Sequence, residues 1–389
     1  MREKSFHTVI ALDTEKGALH FCCRDADERK PVIYFTAACK ESPFSDAFAA
    51  QLSDAIEKFR ESHPDVAMQR VSLVLSDNAV LTDTVNLPLI HRRAANVSID
   101  ASLSNLYGGE SMCFNRVLAL QNKQFATYAV TGMHRDLLLR LRESFAKSGI
   151  EIANVTYASA AATNAAVKLN PRLKSASFVL LDIKNDSTKI AFVCAGRTLG
   201  FYSLPFGASV LNAEVYTPEE MLFDHACAEL LVSNTAERAD ADTAESEQPT
   251  HEGLHGKTPR VLPGLMQREI PTDAEGILYE NFRVFVKWTL ELIASNASIT
   301  ALGAPEAVYV NMPRPMDFLT ERVNAEAEEN CIRFLPLEGA TDALIRENLE
   351  LYGGFFMPQS NRLNSFLAAD TAARNAFSHR IKRTKGKSQ

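Results

Sequence analysis

Two stretches of this chain follow one plan. "TVIALDTEKGALHFC" and "FVLLDIKNDSTKIAF" each run from an apolar strand to an aspartate, through a polar turn and into a second strand with apolar residues at alternate positions; a third strand follows each. The aspartates are Asp13 and Asp182. Antiparallel hairpins of this kind need a hydrophobic layer behind them, so a chain that carries the unit twice is expected to build two comparable sheets, each with its own core. With 389 residues, 46% of them apolar, it has the material for more than one core.

The rest of the chain fits around these repeats. After the first three strands, "FSDAFAAQLSDAIEKFRESHPD" predicts a helix with Phe44, Phe48, Leu52, Ile56 and Phe59 on one face, stopped at His63-Pro64-Asp65. "RVSLVLSD" reads as a short buried strand, and "TVNLPLI" leads into a different rhythm. There a helical stretch with Leu103 and Leu106 precedes a hairpin of "MCFNRVLAL" and "FATYAVTG". An amphipathic helix through Leu137, Leu141 and Phe145, capped by Gly149, and the strand "IEIANVTY" complete that region. An alanine-rich helix at 158–169, stopped by Pro171, leads into the second repeat. The expected division is 1–88 with 157–176 as one lobe, 89–156 as a small α+β insert, and 177–233 with 276–365 as a second lobe. Residues 234–275 then form an acidic, Pro-rich loop and 366–389 a basic tail.

Charge and cysteines narrow the function. A net charge of −7 supplies no field that gathers nucleic acid or acidic lipid over the whole surface, so any basic contact has to be local. The first residues lack the apolar core and cleavage site of a signal peptide, and no stretch approaches about 18 uninterrupted apolar residues, so the chain is expected to fold in the cytoplasm. Seven cysteines, including the adjacent Cys22 and Cys23, show no metal-binding spacing and read as reduced, mostly buried thiols. In the loop, "HEGLH" at 251–255 matches a zinc-protease motif, but a central glycine in a Pro-rich stretch does not hold the helix that motif requires. "GKT" at 256–258 lacks both the earlier glycine and the preceding strand of a phosphate loop.

The paired hairpins, with "VNLPLI", "FATYAVTGMHRDLLLRLRESFAKSGIEIANVTYASAAATNAA", "FVLLDIKNDSTKIAFVCAGRTLGFYSLPFG", "ILYENFRVFVKWTLEL" and "APEAVYVNMP", resemble the actin-like ATPase superfamily, and within it the PilM branch of type IV pilus assembly proteins related to the division protein FtsA. The resemblance implies an α/β, two-lobed actin-like (RNase H-like, duplicated) fold with an inserted subdomain, and a nucleotide site between the lobes that takes ATP and Mg²⁺. In such a site each hairpin aims backbone N–H groups and hydroxyls at phosphates, while an aspartate holds the metal through water. Carried onto this chain, the resemblance makes Asp13, Thr14 and Lys16 the first hairpin's candidates and Asp182, Lys184, Ser187 and Thr188 the second's. Asp13 and Asp182 would face the metal, Glu280 the ribose, and Asn311 the adenine side.

The chain departs from the pattern at each nucleotide element. Glycine does not follow either aspartate: Thr14, Glu15 and Lys16 follow one, Ile183 and Lys184 the other, and Val310-Asn311-Met312-Pro313 stands where a glycine pair belongs. Lys16 or Lys184 would have to place an ammonium on the phosphate instead. The resulting expectation is a cytoplasmic scaffold, peripheral at the inner face of the membrane, with nucleotide binding weak or lost and no enzymatic turnover. It would bind the N-terminal cytoplasmic peptide of a PilN-like inner-membrane partner, with self-association allowed and membrane contact indirect or through the basic tail. The alternatives are an FtsA-like, membrane-tethered polymerising protein and a sugar-kinase-type enzyme.

Overall fold

The computed structural model describes residues 6–14, 16–25, 33–107, 112–121, 123–212, 273–296, 304–313, 316–327, 331–340 and 342–357. The greater part of the 234–275 loop, with both of its motifs, and the whole 366–389 tail lie outside the described residues.

The first repeat forms β1 (Phe6–Asp13) and β2 (Ala18–Asp25), followed by β3 (Ile33–Ala38); the second forms β9 (Ser177–Ile183), β10 (Thr188–Cys194) and β11 (Arg197–Leu204). Each first strand pairs antiparallel with its hairpin mate and parallel with a later strand, β4 (Arg70–Leu75) beside β1 and β12 (Ala307–Asn311) beside β9. Completed by β8 (Glu151–Tyr157) and β13 (Arg333–Pro336), the two five-stranded sheets have the same order: third, second, first, fourth, fifth. The middles of β1 (Val9–Leu12) and β9 (Phe178–Leu181) are unbroken apolar runs because both of their faces are covered.

The cover on one face is distinct for each lobe. Helices α1 (Phe48–Ser62) and α3 (Arg135–Lys147) bury Phe48, Leu52, Ile56, Phe59, Leu141 and Phe145 on the first sheet, where Phe59 stacks on Phe21 at 4.9 Å. Phe44 does not share that face: it lies in the turn before α1 and is exposed. Gly149 ends α3 at φ 73°, as its position after the last apolar residue requires. On the second sheet, α5 (Ala274–Ser295) and α6 (Asp317–Glu326) bury Tyr279, Phe282, Phe285 and Leu319. Asp273 caps α5 by accepting the Gly276 N–H at 3.0 Å, so the expected loop gives way to helix before residue 275.

The other face of both sheets meets one element, the alanine-rich α4 (Ala158–Leu169). Ala158 and Ala161 pack with Val9, Ala11 and Val74 of the first sheet, while Ala162, Ala165 and Ala166 pack with Phe178, Leu180 and Ala191 of the second. After β13 the chain turns through α7 (Ala343–Glu347) and α8 (Leu349–Gly353), and α8 crosses α4 closely. Gly353 permits that crossing: a Cβ there would lie 1.7 Å from the Ala161 carbonyl oxygen. Beyond it, Arg24 lies over the rings of Phe355 and Phe356, each at 5.1 Å, and fastens this segment to β2.

The remaining sheet has the order β5 (Leu81–Pro88), β7 (Phe125–His134), β6 (Met112–Gln121), and α2 (Arg92–Tyr107) lays Ala95, Ile99 and Leu103 on one face of it. Leu106, expected with Leu103, is exposed. The stretch read as an insert, 89–156, is thus divided by its contacts: α3 and β8 belong to the first sheet and its core, and β5 starts the separate sheet at residue 81.

Gly353→Ala forces α8 off α4. It is expected to cost about 3 kcal/mol of unfolding free energy, read from a lowered urea midpoint at unchanged slope.

Candidate functional site

The two hairpin turns face each other across a cleft floored by the N-terminus of α4, with a cavity of about 160 Å³. Its wall includes Asp13, Lys16, His20 and Ser76 from the first lobe, Lys184, Ser187 and Lys189 from the second, and Glu347 and Glu350 from the α7–α8 segment. Five of the sequence-selected residues therefore belong to it or to its rim, counting Thr14, which is held by Ser76.

The first hairpin is occupied with its own chain. Asp13 accepts the Lys16 N–H at 3.0 Å and stands 3.8 Å from the His20 ring nitrogen. Burial pushes its carboxyl up, but His20 and the Lys16 N–H outweigh that and leave it below the usual carboxylate value. The Thr14 N–H donates to the Ser76 hydroxyl and the Thr14 hydroxyl to Asn78, each at 3.0 Å. Lys16, expected to reach a phosphate, pairs instead with Asp186 in the opposite turn at 3.0 Å, an exposed clasp between the lobes.

The second hairpin is closed more firmly. Lys184 N–H donates to the Ser187 carbonyl, and the turn's outer carbonyls accept the N–H groups of Ala208 and Ser209. Gly207 makes this docking possible, since a Cβ there would sit 2.2 Å from the Lys184 carbonyl oxygen. Thr188 is buried within β10 and donates its hydroxyl to the Phe206 carbonyl at 2.8 Å, so it does not serve as a phosphate donor. Asp182 is 1% exposed and does not line the cavity. One of its oxygens accepts from Asn311 at 2.7 Å, and the other faces Lys184 at 3.3 Å. Asn311 also donates to the Arg346 carbonyl, so its amide holds the second lobe together in place of meeting a base.

Lys184 has folded back from the turn over this aspartate. Its ammonium donates to Glu350 at 2.6 Å and to the Glu347 carbonyl at 2.9 Å, and stands 3.3 Å from an Asp182 oxygen that accepts no hydrogen bond among the described residues. The next cation inward, Lys189, crosses to the first lobe and pairs with Asp77 at 3.1 Å. Asp77 in turn accepts the Ser159 N–H at 2.8 Å and its hydroxyl at 2.7 Å, at the start of α4. Two ammonium groups thus stand among three carboxylates, Lys184 paired with Glu350 and Lys189 with Asp77, and the place a divalent cation would take beside the remaining Asp182 oxygen is held by the Lys184 ammonium at 3.3 Å. In this arrangement the residues do not fit a metal held at Asp182. Burial raises Asp182, while for Glu350 the same burial effect is overcome by Lys184 and Lys189, which hold it below its ordinary value. The assignment follows the geometry, for Lys184 lies nearer Glu350.

Glu280 is remote from this set. It sits on α5, which covers the far face of the second sheet, and bridges Arg283 at 3.0 Å. Sequence reasoning missed Asp77, Ser159, Lys189 and Glu350. Asp77 had a signal, an acidic residue directly after the strand "RVSLVLS" in the same position as Asp13 and Asp182 after theirs; Glu350 had none.

No protein-family model and no curated protein sequence matches the chain. Among solved structures, one described as the PilM-PilN type IV pilus biogenesis complex aligns over 92% of this chain and 100% of that chain, with a TM-score of 0.53 and 13% identity. The fold is the actin-like one. Two further structures are more distant. The cytoplasmic domain of EpsL, from the type II secretion system of Vibrio cholerae, covers 52% of this chain and 71% of its own at 14% identity and a TM-score of 0.36. A Bacteroides thetaiotaomicron protein with an actin-like ATPase fold covers 61% and 79%, at 14% identity and 0.31. In the actin-like frame, the cleft between the duplicated sheets is where the two hairpins converge, and here the chain's own ammonium groups stand in it.

Breaking the set from the cation side is the severe change. Lys184→Met leaves Glu350 and Asp182 without their shared partner and is expected to cost about 3–5 kcal/mol in chemical denaturation. Glu350, lowered in the folded state, contributes stability that is present above its ordinary value of 4.5 and lost as pH falls through the folded value. Asp182, raised, works in the opposite sense, so the difference between wild type and Glu350→Gln isolates Glu350. That difference is expected to be large at neutral pH and to shrink below about pH 4.5.

Proposed function

We propose that the chain is a non-hydrolysing actin-like scaffold for a type IV pilus or a related secretion machine, and that it binds the short N-terminal peptide of a PilN-like inner-membrane protein. The likeness over 92% of the chain to a structure described as a PilM-PilN complex carries the reading of the partner. The buried ion set carries the reading of the cleft. Phosphates need donors that are open to them, and the ammonium groups of Lys16, Lys184 and Lys189 already neutralise Asp186, Glu350 and Asp77. To admit a nucleotide and its metal, the lobes would have to part Lys16 from Asp186 and Lys189 from Asp77, and the second separation leaves a buried charge unmatched. Asp13 and Asp182 act on this reading as structural strand-end residues, and the scaffold works through its surfaces. Among the described residues no helix is long and apolar enough to cross a membrane.

Isothermal titration tests both halves. The expected result is no heat with ATP and Mg²⁺ at millimolar concentration, and saturable binding of a synthetic N-terminal peptide from a PilN-like protein of the same organism. Micromolar ATP binding that is lost in both Asp13→Ala and Asp182→Ala would overturn the reading of the cleft; failure of the folded protein to bind the peptide would overturn that of the partner.

A further inference from the structure

The end of the three-stranded sheet that carries Pro88 and Phe125 combines exposed apolar residues with basic ones. Two turns meet there: the β5–α2 connection, Pro88-Leu89-Ile90-His91, and the β6–β7 turn, joined by the Leu89 N–H donating to the Gln124 carbonyl at 2.9 Å. Pro88 and Phe125 are directly paired across the strands. Leu89, Ile90 and Phe125 are 49, 40 and 50% exposed, so three large apolar residues are exposed at the same end of the sheet. Side chains of this size are ordinarily tolerated singly at a surface, and a cluster marks a contact.

The charges beside them have one sign. His91-Arg92-Arg93 follows the apolar pair and Lys123 precedes Phe125, and neither 84–99 nor 113–125 contains an acidic residue in a chain whose net charge is −7. Asp100, the next carboxylate along α2, is paired with Arg116. The patch is formed by turns that end a sheet, and its apolar residues and its cations Arg93 and Lys123 are all exposed. That arrangement suits a flat anionic surface into which the side chains dip: aliphatic and aromatic groups enter the acyl boundary while Arg and Lys remain at the headgroups.

We infer that the tip formed by Leu89, Ile90 and Phe125, with Arg93 and Lys123, is a contact site for an anionic lipid bilayer. It is independent of the basic C-terminal tail and of the peptide partner. An apolar insertion and a cationic collar act together, so binding requires both and weakens as salt shortens electrostatic reach from about 10 Å at 0.1 M to about 3 Å at 1 M.

The test is co-sedimentation of the full chain with phosphatidylserine-containing and pure phosphatidylcholine vesicles. Leu89→Ser with Ile90→Ser, Arg93→Glu with Lys123→Glu, and a full chain with Arg380, Lys382, Arg383 and Lys385 changed to Ser are compared with wild type, each checked for an unchanged thermal transition. The expected result is salt-sensitive binding to the anionic vesicles alone, at least about twentyfold weaker in the Arg93/Lys123 variant, given about fivefold per basic residue near the surface. The apolar variant should also lose it, and the tail variant should keep it. Three results would each overturn the assignment: no binding by wild type, binding undiminished in both tip variants, or an acidic, leucine-rich peptide that binds the tip while vesicles do not.

Discussion

A helix enclosed on every side by two sheets has little room for side chains, and α4 sets the terms for both lobes of this protein. Its nine residues from Ala158 to Ala166 are all buried. Alanine at six of these nine positions lets the sheets approach the helix axis closely, and Gly353 lets α8 do the same from the side. The same closeness brings the strand ends within reach of one another. Asp77 accepts the orphan Ser159 N–H at the start of α4 and also receives Lys189 from the other lobe, so one carboxylate serves as helix cap and as bridge.

The charges in the cleft follow from that proximity. Where two lobes converge on strand ends that carry Asp13, Asp77 and Asp182, uncompensated carboxylates would repel, and some cation must stand among them. In this chain lysines provide it, at the cost of removing their ammonium groups from bulk water. The solution is asymmetric. Lys16 and Asp186 meet at the exposed rim, where an ion pair contributes little, whereas Lys184 and Lys189 lie in the interior, where loss of one partner is severe.

Much of this was legible in the residues. Alternation and apolar runs located the repeated hairpins, α1, α3, α4 and α5, and the plan shared by "TVIALDTEKGALHFC" and "FVLLDIKNDSTKIAF" led to two sheets of one order. Periodicity could not say where α3 and β8 belong, because an amphipathic helix looks the same on either of two neighbouring cores; only the pairing of β8 with β4 decides it. Phe44 and Leu106 had the right spacing and the wrong environment, since spacing reports a face and not what covers it. In the site, Lys16 and Lys184 were rightly drawn to the cleft, but their targets are side chains distant in sequence. Asp186 and Glu350 carry no local mark of that role, and Thr188 looks like a turn hydroxyl until the β11 exit segment supplies the Phe206 carbonyl.

The inner lysines are tied to the chain by covalent bonds, and this changes how such a cleft can move. A bound phosphate can be cleaved and released, which makes opening a one-way event with a clock. The Lys189 ammonium cannot depart, so whatever parts it from Asp77 leaves both halves in place to find each other again. Any motion that parts this pair would therefore be an equilibrium, which a ligand could move only by as much as it preferred one arrangement over the other. By the same linkage, the state of the cleft must report back on that ligand's affinity by an equal factor.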